Sequence, residues 1–210
     1  MKIDTKYHFP TPFWKTNITS EIKKINISIE TLINECFVIQ ENDKGTIISN
    51  AGINSYHSNN LDFSKTKNSS LLQIGKILHD IIQCVYQSTW QGNLEIDNAW
   101  ININRKDGQN IIHNHPESIL SGCLYLQVPK DSGCFALVRE TNEQFIYRNY
   151  GKLNNDKENN LIYLDHVAQE VLYKPMAGDV FLFPSHLLHC VKPNQTSKAR
   201  ISIAFNTRKQ

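Results

Sequence analysis

His113 and His115 stand two residues apart, His189 lies far downstream, and Arg200 follows it by eleven residues. Side chains at i and i+2 of an extended strand project to one face, so the first two imidazoles can act together, and a third returned by the fold would complete a metal-binding triangle. Imidazole nitrogen suits iron, copper, nickel or zinc. Three protein ligands leave coordination positions open, which marks a catalytic rather than a structural metal. Arg200 and Ser202 share one face of an alternating segment. A guanidinium grips a carboxylate bidentately and a hydroxyl two residues on takes a further lone pair, a combination suited to the far end of a dicarboxylate. These residue types predict a metal centre that works with an acidic co-substrate.

The elements that must position them change character along the chain. Residues 27–38 carry Ile29, Leu32, Ile33 and Phe37 at helical spacing, and residues 69–86 carry a wider stripe of Leu71, Leu72, Ile74, Leu78, Ile81, Ile82 and Val85 behind Ser69 or Ser70 as N-cap. Between them, residues 46–67 read as a long ordered loop. From Asn98 onward the period is two. Ile101 and Ile103 oppose Trp100, Asn102 and Asn104; Leu120, Leu124, Leu126 and Val128 oppose Ser121, Cys123, Tyr125 and Gln127; Ile201, Ile203 and Phe205 oppose Arg200, Ser202, Ala204 and Asn206. Three strands with one apolar and one polar face predict a sandwich or barrel with a liganded interior, because an ordinary packed interior would be apolar. Further strands are expected at 134–138, 144–148, 161–164, 170–173 and 179–183, with a turn at Pro175 to Gly178 and a polar, solvated excursion at 152–160. The expected organisation is one domain over 1–210, mainly β with N-terminal helices: helical and loop support over 1–97 and a β core over 98–210.

Composition excludes several partners. The formal net charge is +2, so no strong field draws nucleic acid or an anionic membrane. Five cysteines, Cys36, Cys84, Cys123, Cys134 and Cys190, form no C-x-x-C pair and sit in apolar surroundings, as buried free thiols of the reducing cytoplasm do. No apolar leader core and no run of 18 uncharged apolar residues is present, so an unexported chain outside the membrane is expected.

Five segments carry a family likeness: His113-Asn114-His115-Pro116-Glu117-Ser118, Ser121-Gly122-Cys123-Leu124-Tyr125-Leu126, residues 178–185 (GDVFLFPS), His189-Cys190-Val191, and residues 200–206 (RISIAFN). In their order and spacing the chain resembles the iron(II)- and 2-oxoglutarate-dependent oxygenases, particularly bacterial and phage members related to prolyl hydroxylases. The resemblance implies a double-stranded β-helix, a cupin-like jelly roll with helices packed on one sheet. It implies Fe(II) as cofactor and 2-oxoglutarate as co-substrate, with His189 as the distal ligand, Arg200 anchoring the far carboxylate, Ser202 assisting and Tyr125 as a second hydrogen-bonding partner. It further implies oxidative decarboxylation to succinate and carbon dioxide coupled to hydroxylation of a small-molecule or peptide substrate, and it is compatible with a homodimer.

At one position the chain departs from that pattern. The family presents His-x-Asp or His-x-Glu, whereas here His115 stands at the third place. Either His113 and His115 both bind with His189, or Glu117 supplies a carboxylate, or one histidine orients substrate. Pro116 opposes a regular strand reaching Glu117, which favours the set His113, His115 and His189. Trp100, Asn102 and Asn104 would line the neighbouring face, against a plain packing role for the tryptophan and solvated edge positions for the asparagines. His8, His57, His79, His166 and His186 have no spacing that suggests ligation. Two other readings compete: a cupin-type three-histidine dioxygenase that does not use 2-oxoglutarate, which leaves Arg200 and Ser202 without a role unless the substrate itself carries a carboxylate, and a non-catalytic jelly-roll binding module.

Overall fold

The helical and alternating periods of the sequence become separate layers in a computed structural model of the chain, which describes residues 11–46, 54–63, 69–89, 92–139 and 170–210. Its elements run β1 (Trp14–Asn17), α1 (Thr19–Lys24), α2 (Ile29–Asn42), β2 (Ser55–His57), α3 (Ser69–Thr89), β3 (Leu94–Asn104), β4 (Asn110–His113), β5 (Leu120–Gln127), β6 (Phe135–Val138), β7 (Glu170–Tyr173), β8 (Asp179–Pro184), β9 (His189–Val191) and β10 (Arg200–Lys209). The strands form a larger sheet in the order β1-β8-β5-β10-β3-β2 and a smaller one in the order β4-β9-β6-β7. Every recorded pairing is antiparallel.

The two faces of the larger sheet have different tasks. Ile101, Ile103, Leu124, Leu182, Ile201 and Ile203 join Leu32 of α2 and Leu71, Ile74, Leu78 and Ile82 of α3 in one buried core. Full burial of each such side chain stabilises the fold by about 1.5–3 kcal/mol. Ser28 caps α2 by accepting from the Thr31 N–H at 3.0 Å. The opposite face meets the smaller sheet through Tyr125, Phe135, Phe181 and Phe183, with Phe13 stacked on Tyr173 at 3.9 Å between centroids. A double-stranded β-helix is the result, as the polar strand faces imply, with aromatic side chains packing part of the interior.

The register aligns the polar face of the larger sheet. Ser202 lies opposite Asn102 on one side and Tyr125 on the other, Ala204 opposite Trp100 and Cys123, and Arg200 opposite Asn104. Asn102 and Asn104 are buried, so they are not solvated edge positions; β2 covers β3 on that side. Other expectations change too. Helix α3 begins at Ser69 itself, which places Ser69 and Ser70 inside its first turn rather than at its cap. The stretch expected as one loop over 46–67 contains β2, which three residues are too few to announce by alternation. Cys84 is exposed, because it falls on the solvent side of α3. The strands expected at 144–148 and 161–164 and the excursion at 152–160 lie outside the described residues, as do His8 and His166.

Gly122 shows how closely β5 and its neighbours approach. A Cβ there would meet the Phe205 ring and stand 2.9 Å from the Phe181 carbonyl oxygen. Gly122→Ala should therefore destabilise the protein by about 1–3 kcal/mol through overpacking, read as a lower urea midpoint; an unchanged midpoint would show that Phe205 yields freely.

Candidate metal centre and co-substrate pocket

Antiparallel pairing of β4 with β9 sets His113 directly opposite His189. His115 follows two residues after His113, where the chain has left the ladder but is held by a hydrogen bond from its N–H to the Ser185 carbonyl at 2.9 Å. Asn114 adds a second tie, donating from Nδ2 to the His186 carbonyl at 3.2 Å. The three imidazoles converge: centroid separations are 4.3 Å for His113 and His189, 5.0 Å for His113 and His115, and 5.2 Å for His115 and His189. One potential ligand atom from each lies within 4.8 Å of the other two. Three neutral imidazoles around such a gap fit a divalent transition metal.

Two of the three rings have a fixed tautomer. His113 Nδ1 lies 2.7 Å from the Ile111 carbonyl and His189 Nδ1 lies 2.9 Å from the Leu187 carbonyl. A carbonyl only accepts, so each Nδ1 carries the proton and each Nε2 keeps its lone pair for a metal. Phe183 meets the His189 ring edge-on at 4.7 Å, and Phe135 stacks on it at 5.7 Å. Among the described residues no comparable backbone tether holds the His115 ring.

Burial, reinforced by the neighbouring imidazoles, pushes His189 down to about 3 and His115 to about 4, and burial lowers His113 as well. All three are neutral at pH 7. In the unfolded chain they take up protons near pH 6.5, so between that value and the lowered ones the unfolded state binds more protons and stability is lost as pH falls. Metal-free protein should lose on the order of 2 kcal/mol between pH 7 and pH 5 through His189 alone. Saturating Ni(II) should raise stability at both pH values without removing that loss, because the folded imidazole is unprotonated at either pH with or without the metal. Thermal unfolding at the two pH values checks it, and an unchanged Tm would contradict neutral buried imidazoles.

A narrow cavity of about 50 Å³ runs from the histidines between the sheets, lined in part by Ser121, Cys123, Tyr125, Phe135, Phe183 and Val191. Arg200 and Ser202 are not at its wall. They stand on the next pleats of β10 beyond Ala204, with Ser202 paired to Tyr125. Arg200 is 1% exposed; its Nη1 donates to the carbonyls of Ser132 and Lys192, the latter at 3.1 Å. Gly133 makes this approach feasible, since a Cβ there would lie 2.8 Å from Arg200 Nη1, and its φ of +86° suits glycine.

Arg200 Nη2, Tyr125 Oη and Ser132 Oγ are buried without a hydrogen-bond partner among the described residues, although the Cys123 thiol stands near Tyr125. Burial lowers Arg200 and raises Tyr125 well above the usual phenol range, so the pocket holds a cation beside a neutral hydroxyl. An orphaned guanidinium nitrogen in a dry pocket leaves an uncompensated cost that an incoming carboxylate removes. The residues present thus fit an acid bound behind Tyr125.

Not every candidate joins the cluster. Glu117 lies in an exposed turn after Pro116 and brings no oxygen to the histidine group, and His186 is exposed. His57, which no spacing marked, does belong nearby: it stacks on Trp100 at 5.1 Å and lines the cavity mouth. Ser132 and Lys192 were equally silent in the sequence, because they act through backbone carbonyls that any residue supplies.

Residues 98–206, just over half of the chain, including the three clustered histidines and every lining residue of the narrow cavity except His57, match the family model described as "Putative 2OG-Fe(II) oxygenase". No curated protein matches by sequence. Among solved structures the chain is similar to a Pseudomonas putida prolyl-4-hydroxylase, at 14% identity over 95% of this chain and 94% of that one, with a TM-score of 0.64. It is also similar to HygX from Streptomyces hygroscopicus, solved with nickel and 2-oxoglutarate bound, at 13% identity over 95% and 84% of the two chains and a TM-score of 0.60. The viral collagen prolyl hydroxylase of Paramecium Bursaria Chlorella virus-1 gives 13% identity, coverage of 94% and 96%, and a TM-score of 0.55. At these identities the likeness is one of fold, and together with the family match it makes this chain a member of the 2OG-Fe(II) oxygenases, double-stranded β-helix enzymes that use Fe(II) and 2-oxoglutarate.

Proposed function

We propose that the protein hydroxylates a small-molecule or peptide substrate, with His113, His115 and His189 holding Fe(II) and Arg200, Ser202 and Tyr125 receiving the far carboxylate of 2-oxoglutarate. One observation carries this reading: three converging imidazoles line one cavity with Tyr125 and Cys123, and beside those two residues lies a buried arginine with an unpartnered nitrogen. Bound there, the metal and co-substrate supply oxidation of a C–H bond by O2, coupled to release of succinate and carbon dioxide. The protein's part is positional. His113 and His189 present Nε2 through their carbonyl tethers, Arg200 neutralises the acid, and Phe135, Phe183 and Val191 keep water from the walls. A cupin-type dioxygenase without 2-oxoglutarate would explain the histidines but leave Arg200 Nη2 unsatisfied. Five cysteines without a disulfide among them suit a reducing compartment such as the cytoplasm, and no described helix is long and apolar enough to cross a membrane.

Anaerobic addition of Fe(II) and 2-oxoglutarate should give the weak visible charge-transfer band of the chelate, and admission of oxygen should then yield succinate. Absence of both would remove this function.

A further inference from the structure

Two consecutive residues of β4, Ile111 and Ile112, both stand in solvent, 46% and 52% exposed. A regular strand would send them to opposite faces. The register supplies the cause: Asn110 pairs with Val191 and His113 with His189, so three steps along β4 answer two along β9, a β-bulge. His189 and Val191 both face the narrow cavity, and the residues opposite them face it too. The bulge therefore turns Asn110 inward beside His113, about 7 Å along the strand, where plain alternation would turn it outward.

We infer that Asn110 is a positioning residue whose carboxamide donates a hydrogen bond to an anion bound at an open position of the metal. The inference rests on the proposed metal centre, to which it adds a ligand class and the side chain that holds it.

Neighbouring groups fix the orientation of that carboxamide. Ser55 Oγ gives its single hydrogen to the Gln109 carbonyl at 3.2 Å, since a carbonyl only accepts. The 2.9 Å contact between Ser55 Oγ and Asn104 is then donated by Asn104 Nδ2. The same Nδ2 lies 3.3 Å from Asn110, which answers with Oδ1. Asn110 Nδ2 keeps both hydrogens, and no described group accepts them, although only 9% of the residue is exposed. Donors confined in so narrow a space, stripped of water, leave a cost that an incoming acceptor removes.

Oδ1 has a second lone pair, so the carboxamide alone does not choose its ligand. The metal makes the choice. His113, His115 and His189 bring no charge to a dication, which favours an anion at the positions they leave open. Such an anion is an acceptor held in the cavity that Asn110 lines. It has two sources with the same chemistry: the keto-acid end of the co-substrate, or a separate small ion. His57, Trp100 and His115 also wall a wider cleft of about 320 Å³, which adjoins the narrow cavity at these residues.

The test uses the full chain loaded with Co(II), whose visible bands report the metal and shift when an anion joins it. Azide is titrated onto the Co(II) protein and onto its complex with 2-oxoglutarate, and 2-oxobutyrate onto the Co(II) protein. Asn110→Ala should weaken azide on the Co(II) protein at least tenfold, the worth of a hydrogen bond to a charged group, with Co(II) affinity unchanged. If the donor serves the keto-acid end, 2-oxobutyrate weakens too and azide on the 2-oxoglutarate complex does not; if it serves the remaining position, the pattern reverses. Asn110→Asp keeps the oxygen that Asn104 requires but replaces the free N–H pair, so it should bind Co(II) at least as well as wild type and azide no better than Asn110→Ala. Thermal unfolding reports the folding of each variant, and Asn110→Asp carries the test if Asn110→Ala does not fold. Azide and 2-oxobutyrate affinities that ignore Asn110→Ala, or that Asn110→Asp restores to wild type, would overturn the inference and leave the metal centre standing. A wild-type chain that takes up no Co(II) would overturn both. Absence of the Fe(II) and 2-oxoglutarate band beside an azide shift that depends on Asn110 would count against the co-substrate alone.

Discussion

Arg200→Gln should weaken 2-oxoglutarate binding by about a hundredfold or more, while the affinity for the metal changes little. Truncating one partner of a buried, hydrogen-bonded charge pair typically costs about 2–5 kcal/mol, and about 1.4 kcal/mol is a factor of ten. Glutamine is the informative replacement because it removes the charge while keeping a polar side chain with most of the arginine's aliphatic stem in the core; its amide, two bonds shorter, falls short of the Ser132 and Lys192 carbonyls that Arg200 now serves. Alanine would orphan both carbonyls as well and open a hole in the core. The effect should also depend on the acid offered. 2-Oxobutyrate, which chelates a metal in the same way but lacks the far carboxylate, should bind wild type and variant alike, so the wild-type preference for 2-oxoglutarate collapses in Arg200→Gln. Titration followed by the visible chelate band measures both acids. A variant with lowered thermal stability and an unchanged preference would show that Arg200 is a structural tether for the 132–133 turn and nothing more.

Arg200 was legible because β10 is a ten-residue strand that alternates strictly at its start, so its polar face could be read without knowing its neighbours. The same reasoning found Tyr125, Ser202 and the apolar faces that α2 and α3 cover. It failed where elements are too short to show a period. Strands β1, β2 and β9 have three or four residues, and β4 places Ile111 and Ile112 in solvent, contrary to any inside-outside pattern. His57 rides on one of these short strands, and its contact with Trp100 exists only because β2 pairs with β3. Tethers are illegible for another reason. The carbonyls of Ile111 and Leu187, which set the tautomers of His113 and His189, belong to the backbone and leave no mark on residue identity. The sequence can therefore point to the candidate ligands before it points to what aims them.

That difference in aim predicts an unequal response among the three histidines. His113→Ala and His189→Ala should each reduce metal affinity at least a hundredfold, since each removes a ring whose Nε2 is already turned to the site; loss of a tether alone costs about 10–100-fold. His115→Ala should cost less, because its ring has no such tether and must be ordered by the metal. His115→Glu is the sharper probe. Glutamate matches the reach of an imidazole Nε2 better than aspartate does, and it restores the carboxylate that the family pattern expects two residues after the first histidine. Its negative charge lowers the net charge of the metal centre by one unit, which favours a dication. Fe(II) or Ni(II) titrations should then give affinities in the order His115→Glu at or above wild type, wild type, His115→Ala, and far below these the His113 and His189 variants. Equal affinity in wild type, His115→Ala and His115→Glu would take His115 out of the ligand set. Its imidazole, 5.7 Å from the Trp100 ring, would then belong to the neighbouring cleft, where it would meet substrate instead of iron.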